Sequence, residues 1–475
     1  MGRSIFYPQL SNRICIPFTV RKLNRPKVVW LNSAILPKAP NKGERARQLA
    51  RVARIIVKRY SVSVFLQEQA SAFYNSEIQA IADRYGKSDG SFNGGSGRTG
   101  SLGRIQIKGI GLTPLVGHRN ADEYKYRSGF LSLNEAISEA IFSEFIRRRF
   151  PFGAVPTIAV VDTGLVAPNS DGGIGQRYLV LRPNMLRISH LERSVYFGNA
   201  GRETSDQFID TQRVRDINNL LWPPSGKIRR YHDWPCSVAD MMERVGVQVG
   251  FARGIRLSIG ILSSANICVD GRLLDFGPFT SLPSWAKVRV MPHYPAFGDE
   301  FPTLKQIATS VLFYSAKYTD YRESQSEVIK ALNKGIQDGM SRGFTLIISN
   351  QGKISDRLRG LIIDDLMKEY RSEQAFASLF YEQCGSPRPG IVHLVPPDIL
   401  ADISNKFSTS VSYAGFSTAE KDVVLRSIGK WLDWIHLLDA RFLNISCENI
   451  HNRSDSTSEN GGEIADFIEQ IISEF

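Results

Sequence analysis

Cysteine is scarce: five in 475 residues, at Cys15, Cys236, Cys268, Cys384 and Cys447. None forms a C-x-x-C pair, and an odd, scattered set excludes a disulfide framework and a zinc site and points to a reducing compartment. Long apolar runs are missing too. No stretch reaches the roughly 18 consecutive apolar residues a membrane span needs, so no span is expected. No internal repeat is evident. Acidic residues are nearly absent from one region only. Residues 1–60 hold 14 Lys and Arg against a single acid, Glu44, while the rest of the chain is close to neutral.

What is present is a globular composition, 42% hydrophobic and 22% charged, in a chain long enough for two or three domains. The basic stretch leaves three readings open: a transit peptide, a contact with nucleic acid or another polyanion, or a charged surface packed on the rest. Pro8, Pro17, Pro26 and Pro37 break the first 40 residues and suit an amphipathic targeting helix poorly. The expected location is cytoplasmic, or mitochondrial if residues 1–40 act as a transit peptide. Helices are predicted over Gly43–Tyr60 and Ser63–Tyr85, so residues 1–85 read as a basic N-terminal extension.

From Gly86 to Gly103 the composition turns to Gly, Ser and Asn. Gly95, Gly97 and Gly100 match G-x-G-x-x-G. A helix is predicted before this loop and a strand, Arg104–Lys108, after it. That order fits a phosphate-covering glycine loop of the kinase type better than a dinucleotide fingerprint, although a plain flexible linker has the same composition. On the strand, Arg104, Gln106 and Lys108 share one face, either solvated or facing phosphates. Leu131–Arg149 is predicted helical, with Glu135 and Glu139 one turn apart. Asp162-Thr163-Gly164 is half of an aspartic-protease signature without its second copy. Arg182 and Arg187 flank the exit of the strand at Tyr178–Leu181, where two Arg side chains are surface groups or a phosphate grip.

Beyond Glu192 the pattern is mostly helical. One tight hairpin interrupts it at Ser263–Phe279. Asp270-Gly271 is a strong turn signal between two short apolar runs. Folding there brings Asn266 and Asp275 together. An amide oxygen and a carboxylate suit Mg²⁺ or Mn²⁺, and an ordinary hairpin with capping residues is the plain alternative.

Several segments together resemble the selenoprotein O family of kinase-fold protein adenylyltransferases. They are Ile105-Gln106-Ile107-Lys108-Gly109 with Gly111 and Thr113-Pro114; Asn134-Glu135-Ala136 and Ser138-Glu139-Ala140; Val155-Pro156-Thr157; Val180-Leu181-Arg182; Arg187-Ile188-Ser189-His190-Leu191-Glu192; and Asn266 with Leu274-Asp275-Phe276-Gly277-Pro278-Phe279. The match covers about residues 86–280. It implies an α+β, two-lobed kinase-like fold, with a β-rich N-lobe over 86–192 and a helical C-lobe over 193–475. Lys108 would contact ATP phosphates and Glu135 would pair with it. Asn266 and Asp275 would hold the metal, Arg182 and Arg187 the terminal phosphates, and AMP would pass to a protein or peptide hydroxyl. The alternatives kept beside it are a conventional phosphotransferase and an inactive pseudokinase that binds nucleotide or a partner. One departure stands inside the hairpin: the family has Asp before its metal-binding Asn, and this chain has Ala265.

Overall fold

Alternating apolar residues build one large sheet. In a computed structural model of the chain, the residues described are 14–86, 93–117, 128–168, 173–195, 204–223, 234–260, 262–281, 287–289, 297–349, 354–372, 376–378, 399–439 and 460–475, with Leu443, Ser446 and Ile450. Eight strands are β1 (Cys15–Leu23), β2 (Lys27–Leu31), β3 (Val62–Ser63), β4 (Phe73–Asp83), β5 (Thr99–Leu102), β6 (Ile105–Lys108), β7 (Ala159–Pro168) and β8 (Ile174–Pro183). They lie in the order β2-β7-β8-β6-β5-β4-β1-β3, with every neighbouring pair antiparallel. Val160, Tyr178 and Val180 enter one core, and Ala159, Val161, Leu179 and Leu181 enter another on the opposite face. The period of two thus buries both sides of the sheet. Helix α1 (Lys42–Tyr60) closes the second face with Ile56, and α2 (Leu133–Arg149) closes the first with Ala136, Ile137, Ala140, Ile141 and Phe145.

The helix predicted over Ser63–Tyr85 is instead β3, a short 3₁₀ turn and β4. Residues such as Ala80 and Ala82 favour a helix intrinsically. Pairing with β1 on one side and β5 on the other overrides that preference and buries both. The boundary expected at residue 85 therefore falls inside the sheet. β1 and β2, which a transit peptide over residues 1–40 would remove, are strands of the same sheet.

The remaining chain is mainly helical: α3 (Thr204–Leu221), α4 (Val238–Gly254), α5 (Phe301–Tyr318), α6 (Gln325–Ser349), α7 (Asp356–Ser372), α8 (Ile399–Thr409), α9 (Thr418–Ile435) and α10 (Asn460–Ser473). Short strands β9 (Leu257–Ser258) and β10 (Thr280–Ser281) pair around the hairpin, and β11 (Lys287–Arg289) pairs with β12 (Phe376–Ser378). Helices α4 and α6 cross backbone to backbone. Gly246, Gly250 and Gly254 on one meet Gly335, Gly339 and Gly343 on the other; a Cβ on Gly250 would lie 2.1 Å from the Ile336 carbonyl oxygen. Helix α10 returns to the sheet, where the Trp30 indole donates to Glu469 at 2.8 Å. Among the described residues, no helix is long and apolar enough to cross a membrane. Of the polar stretch expected as a loop over 452–462, residues 452–459 lie outside the described residues and 460–462 open α10; Cys384 and Cys447 also lie outside, and Cys15, Cys236 and Cys268 are free thiols.

Candidate functional site

Three chain segments converge on one carboxylate. β6 ends at Lys108, whose Nζ donates to Asp275 at 2.7 Å and to Glu139 of α2 at 2.6 Å. β8 carries Arg182 one residue before its end, and Arg182 Nη1 donates to the same Asp275 oxygen at 2.8 Å. The next segment supplies Arg187, whose Nη1 donates to the other oxygen at 2.7 Å and to the Ala265 carbonyl at 2.6 Å. Glu139 also accepts from the Phe276 backbone N–H at 2.9 Å, which ties α2 to the hairpin.

The hairpin forms as its turn signal requires. Gly271 takes φ +92°, its N–H reaches the Cys268 carbonyl at 3.0 Å, and Ile267 bridges Leu273. The Leu274 N–H donates to the Asn266 carbonyl at 3.1 Å, so Asn266 and Asp275 do sit at the two outer ends. Asp275 itself has φ +63°, a left-handed conformation that Asp tolerates better than most residues. Such backbone persists where surrounding contacts over-determine it, and three cations hold this one.

The predicted partner of Lys108 is corrected by one helical turn. Glu135 is not beside Lys108. It closes a capping box with Ser132 and takes a two-pronged contact from Arg98 at 2.9 and 3.3 Å. The capping role, written in the sequence as Ser132-x-x-Glu135, claims that residue at the helix start. One turn on, Glu139 is 1% exposed and reaches the centre of the sheet. Glu139→Gln is accordingly expected to weaken any Lys108-dependent activity at least ~10-fold, the size of a lost charge-assisted bond of about 1.5–3 kcal/mol. Glu135→Gln should leave that activity nearly intact and lower helix stability; measuring both under the same conditions separates the two roles.

The glycines of the loop have packing reasons. Gly95 bridges Arg84, and a Cβ there would lie 2.0 Å from the Asp83 carbonyl oxygen. Gly100 pairs with Ile107 inside β5, with Phe18 2.6 Å from where its Cβ would be. The Gly97 carbonyl accepts from Thr113 N–H at 2.9 Å. The loop tip, 87–92, lies outside the described residues.

A second layer of the site escaped the sequence. The Gln106 amide oxygen accepts from Arg182 Nε at 2.8 Å, and its amide nitrogen donates to Asp83 at 3.0 Å. Alternation places Gln106 on the Lys108 face; Asp83 carries no signal of its own, because the pattern of its segment predicts helix. Burial raises the Asp83 carboxyl above its usual range, against the nearby positive charge of Arg187. Burial would raise Asp275 too, but the charges of Arg182, Lys108 and Arg187 hold it well below the usual carboxylate range. His190, fully buried, accepts the Arg187 backbone N–H on Nδ1 at 3.0 Å. Its burial, with the positive charges of Arg213 and Arg187, keeps the imidazole pKa well below the ordinary value of 6.5. The folded pKa lies below the unfolded one, so the stability it contributes is present above pH 6.5 and lost as pH falls through that value. Wild-type unfolding free energy should drop from pH 6.5 toward 5 by up to about 1.4 kcal/mol per unit, and His190→Asn should flatten that slope.

Two donors in the cluster are buried without a hydrogen-bond partner, Arg182 Nη2 and Arg187 Nε. Unfilled guanidinium donors beside a lysine suit an anionic group such as phosphate. Among the described residues, no group of three or more His, Cys, Asp or Glu side chains is arranged to hold a metal ion. The two side chains expected to ligate a metal are Asp275, whose oxygens are engaged by Lys108, Arg182 and Arg187, and Asn266 at the opposite end of the hairpin. The sequence matches no model of a known protein family and no curated protein.

Proposed function

We propose that the chain binds ATP with a divalent metal and transfers AMP to a hydroxyl side chain of a protein or peptide. One observation carries this reading: Lys108, Glu139, Arg182, Arg187 and Asp275, from separate segments, meet in a single buried cluster with donors left over. A lysine on a strand, a glutamate on the following helix and a later Asp-Phe-Gly are the parts of a kinase-type nucleotide site, and a two-lobed kinase-like fold is part of the proposal.

Lys108, Arg182 and Arg187 would bind phosphate oxygens and neutralise the charge that grows on them as the bond breaks. Asp275 and Asn266 would hold the metal, which when bound adds positive charge at the same phosphates. The acceptor oxygen bonds to the α-phosphorus, the α–β bridging bond breaks, pyrophosphate leaves with the electron pair, and the hydroxyl proton passes to water. No carboxylate stands at 265 to take that proton, but a loose transition state asks little of a base.

Ala265 supports a second reading, a nucleotide-binding pseudokinase without transfer, and both Asp275 oxygens are already engaged by cations. Purified protein incubated with Mg²⁺ or Mn²⁺ and ATP labelled at the α- or the γ-phosphate decides among these. Label retained from the α-phosphate only is the expected result. Label from γ only identifies a phosphotransferase, and nucleotide binding without label identifies the pseudokinase.

A further inference from the structure

Helix α1 carries a line of cations that the fold leaves unpaired. Arg47, Arg51, Arg54 and Lys58 follow at i, i+4, i+7 and i+11, so they form one stripe along the helix. All four are exposed, and none has a hydrogen-bond or ion-pair partner among the described residues. Arg45, on another side of the same helix, shows the contrast: its guanidinium is tied to the Pro37 carbonyl at 3.0 Å and to Gln48 at 2.8 Å. Glu44, the helix's one acid, is engaged at the N-terminus with Asn41.

Like charges three and four residues apart destabilise a helix, and here no carboxylate is interspersed to offset them. The C-terminal end of the helix dipole favours Lys58 and Arg59, in the last turn, but not the cations before them. The stripe therefore gives the fold a small loss, not a gain. A membrane does not fit the geometry. A helix lying in a bilayer surface needs its apolar face free, and in α1 that face is taken, with Ile56 buried in the core and Val52 and Tyr60 packed against it.

What remains is a straight line of charge with guanidinium forks suited to phosphate oxygens. From Arg47 to Lys58 it runs about 16 Å at the helical rise. One strand of a duplex presents a phosphate about every 3.4 Å of axis, so that length meets four or five of them. We infer that the exposed face of α1 docks the phosphodiester backbone of a nucleic acid without reading its bases. The inference is independent of the chemistry at Asp275.

Fluorescence anisotropy of the full chain with a labelled oligonucleotide of mixed sequence tests it, in single-stranded and duplex form. Binding is expected at about 50 mM salt, with log K falling against log salt at a slope of about −3 for the single strand, from four contacts at about 0.7 each. The variant carrying Arg47→Gln, Arg51→Gln, Arg54→Gln and Lys58→Gln should lose at least ~10-fold in affinity and most of the salt slope. Glutamine keeps the helix, which circular dichroism verifies, and the variant with Arg47→Lys, Arg51→Lys and Arg54→Lys should bind nearly as the wild type. Equal binding by the glutamine variant overturns the inference. So does absence of wild-type binding, or preferential capture by phosphatidylserine vesicles at the same salt.

Discussion

Asp275→Ala is expected to abolish transfer and to destabilise the fold by about 3–5 kcal/mol, because it strips the partner from three buried cations at once. Lys108 keeps Glu139, but Arg182 and Arg187 each lose their short contact to a carboxylate. Uncompensated positive charge in a buried site is costly, and among the described residues no second acid lies within 3.5 Å of Arg182 Nη1; Glu139 is 3.7 Å away. Loss of stability alone would also silence activity, so Asp275→Asn is the sharper variant. Asparagine tolerates the φ of +63° seen at this position and keeps one acceptor oxygen. It removes the negative charge on which the proposed metal contact depends. Asp275→Asn should therefore fold, melt a few degrees lower, and show no transfer above background. Undiminished transfer in that variant would mean the metal and phosphate assignments around Asp275 are wrong. The depressed pKa of Asp275 adds a control: its stabilising contribution is present above the unfolded carboxylate value near 3.8 and disappears only as pH falls below it. An acid transition below about pH 4 should thus shrink in the variant, while the His190 slope at higher pH stays.

Much of this site was legible because its signals are local. Asp270-Gly271 fixes a hairpin whatever surrounds it, and a hairpin of that length sets Asn266 opposite Asp275. The strand ending in Lys108 follows from alternation, and helix α2 from a long periodic run with its own cap. What could not be read depends on contacts distant in sequence. Glu135 and Glu139 lie on nearly the same face, and only the depth at which α2 crosses the sheet selects Glu139 for Lys108. Ser132 gives a hint in hindsight, since a glutamate in a capping box is committed to the helix start. The β4 segment carries a helical signal because Ala, Gln and Glu at 77–82 have helical preferences, and its two partner strands are about 60 residues upstream and about 20 downstream. Asp83 and Gln106 form the layer behind the arginines; alternation places Gln106 on the Lys108 face, but nothing near Asp83 marks it. The glycine motif has a second account beside the phosphate one: two of its glycines are required by close packing against Asp83 and Phe18.

Gly250→Ala is expected to destabilise the protein by about 2–4 kcal/mol, although alanine is the best helix former and usually gains about 1 kcal/mol over glycine in a helix. The reason is the crossing of α4 and α6. The added Cβ would stand 2.1 Å from the carbonyl oxygen of Ile336 and 2.9 Å from the Met340 nitrogen, both backbone atoms that cannot swing aside. Relief requires the two helices to move apart by an ångström or so, and Val249, Phe251, Ile336, Met340 and Phe344, all buried, would lose close packing together. Gly360→Ala on α7 is the matched control. Nothing lies within 4 Å of a Cβ there, so that change should stabilise by about 0.5–1 kcal/mol. Urea unfolding of both variants reads the comparison, and the same sign for both would sink the account of the crossing. The effect reaches the site by a short path. Helix α4 ends at Gly254, whose own Cβ would meet Gly343 at 2.9 Å, and the chain then runs through β9 to Ser263, Ser264, Ala265 and Asn266. Ser264 is anchored by a hydrogen bond to Glu192, and Arg187 holds the Ala265 carbonyl, so a shift of α4 pulls against contacts that Arg187 shares with Asp275. Nucleotide affinity of Gly250→Ala, measured where the variant is still folded, should consequently fall along with its stability, whereas in Gly360→Ala it should not change.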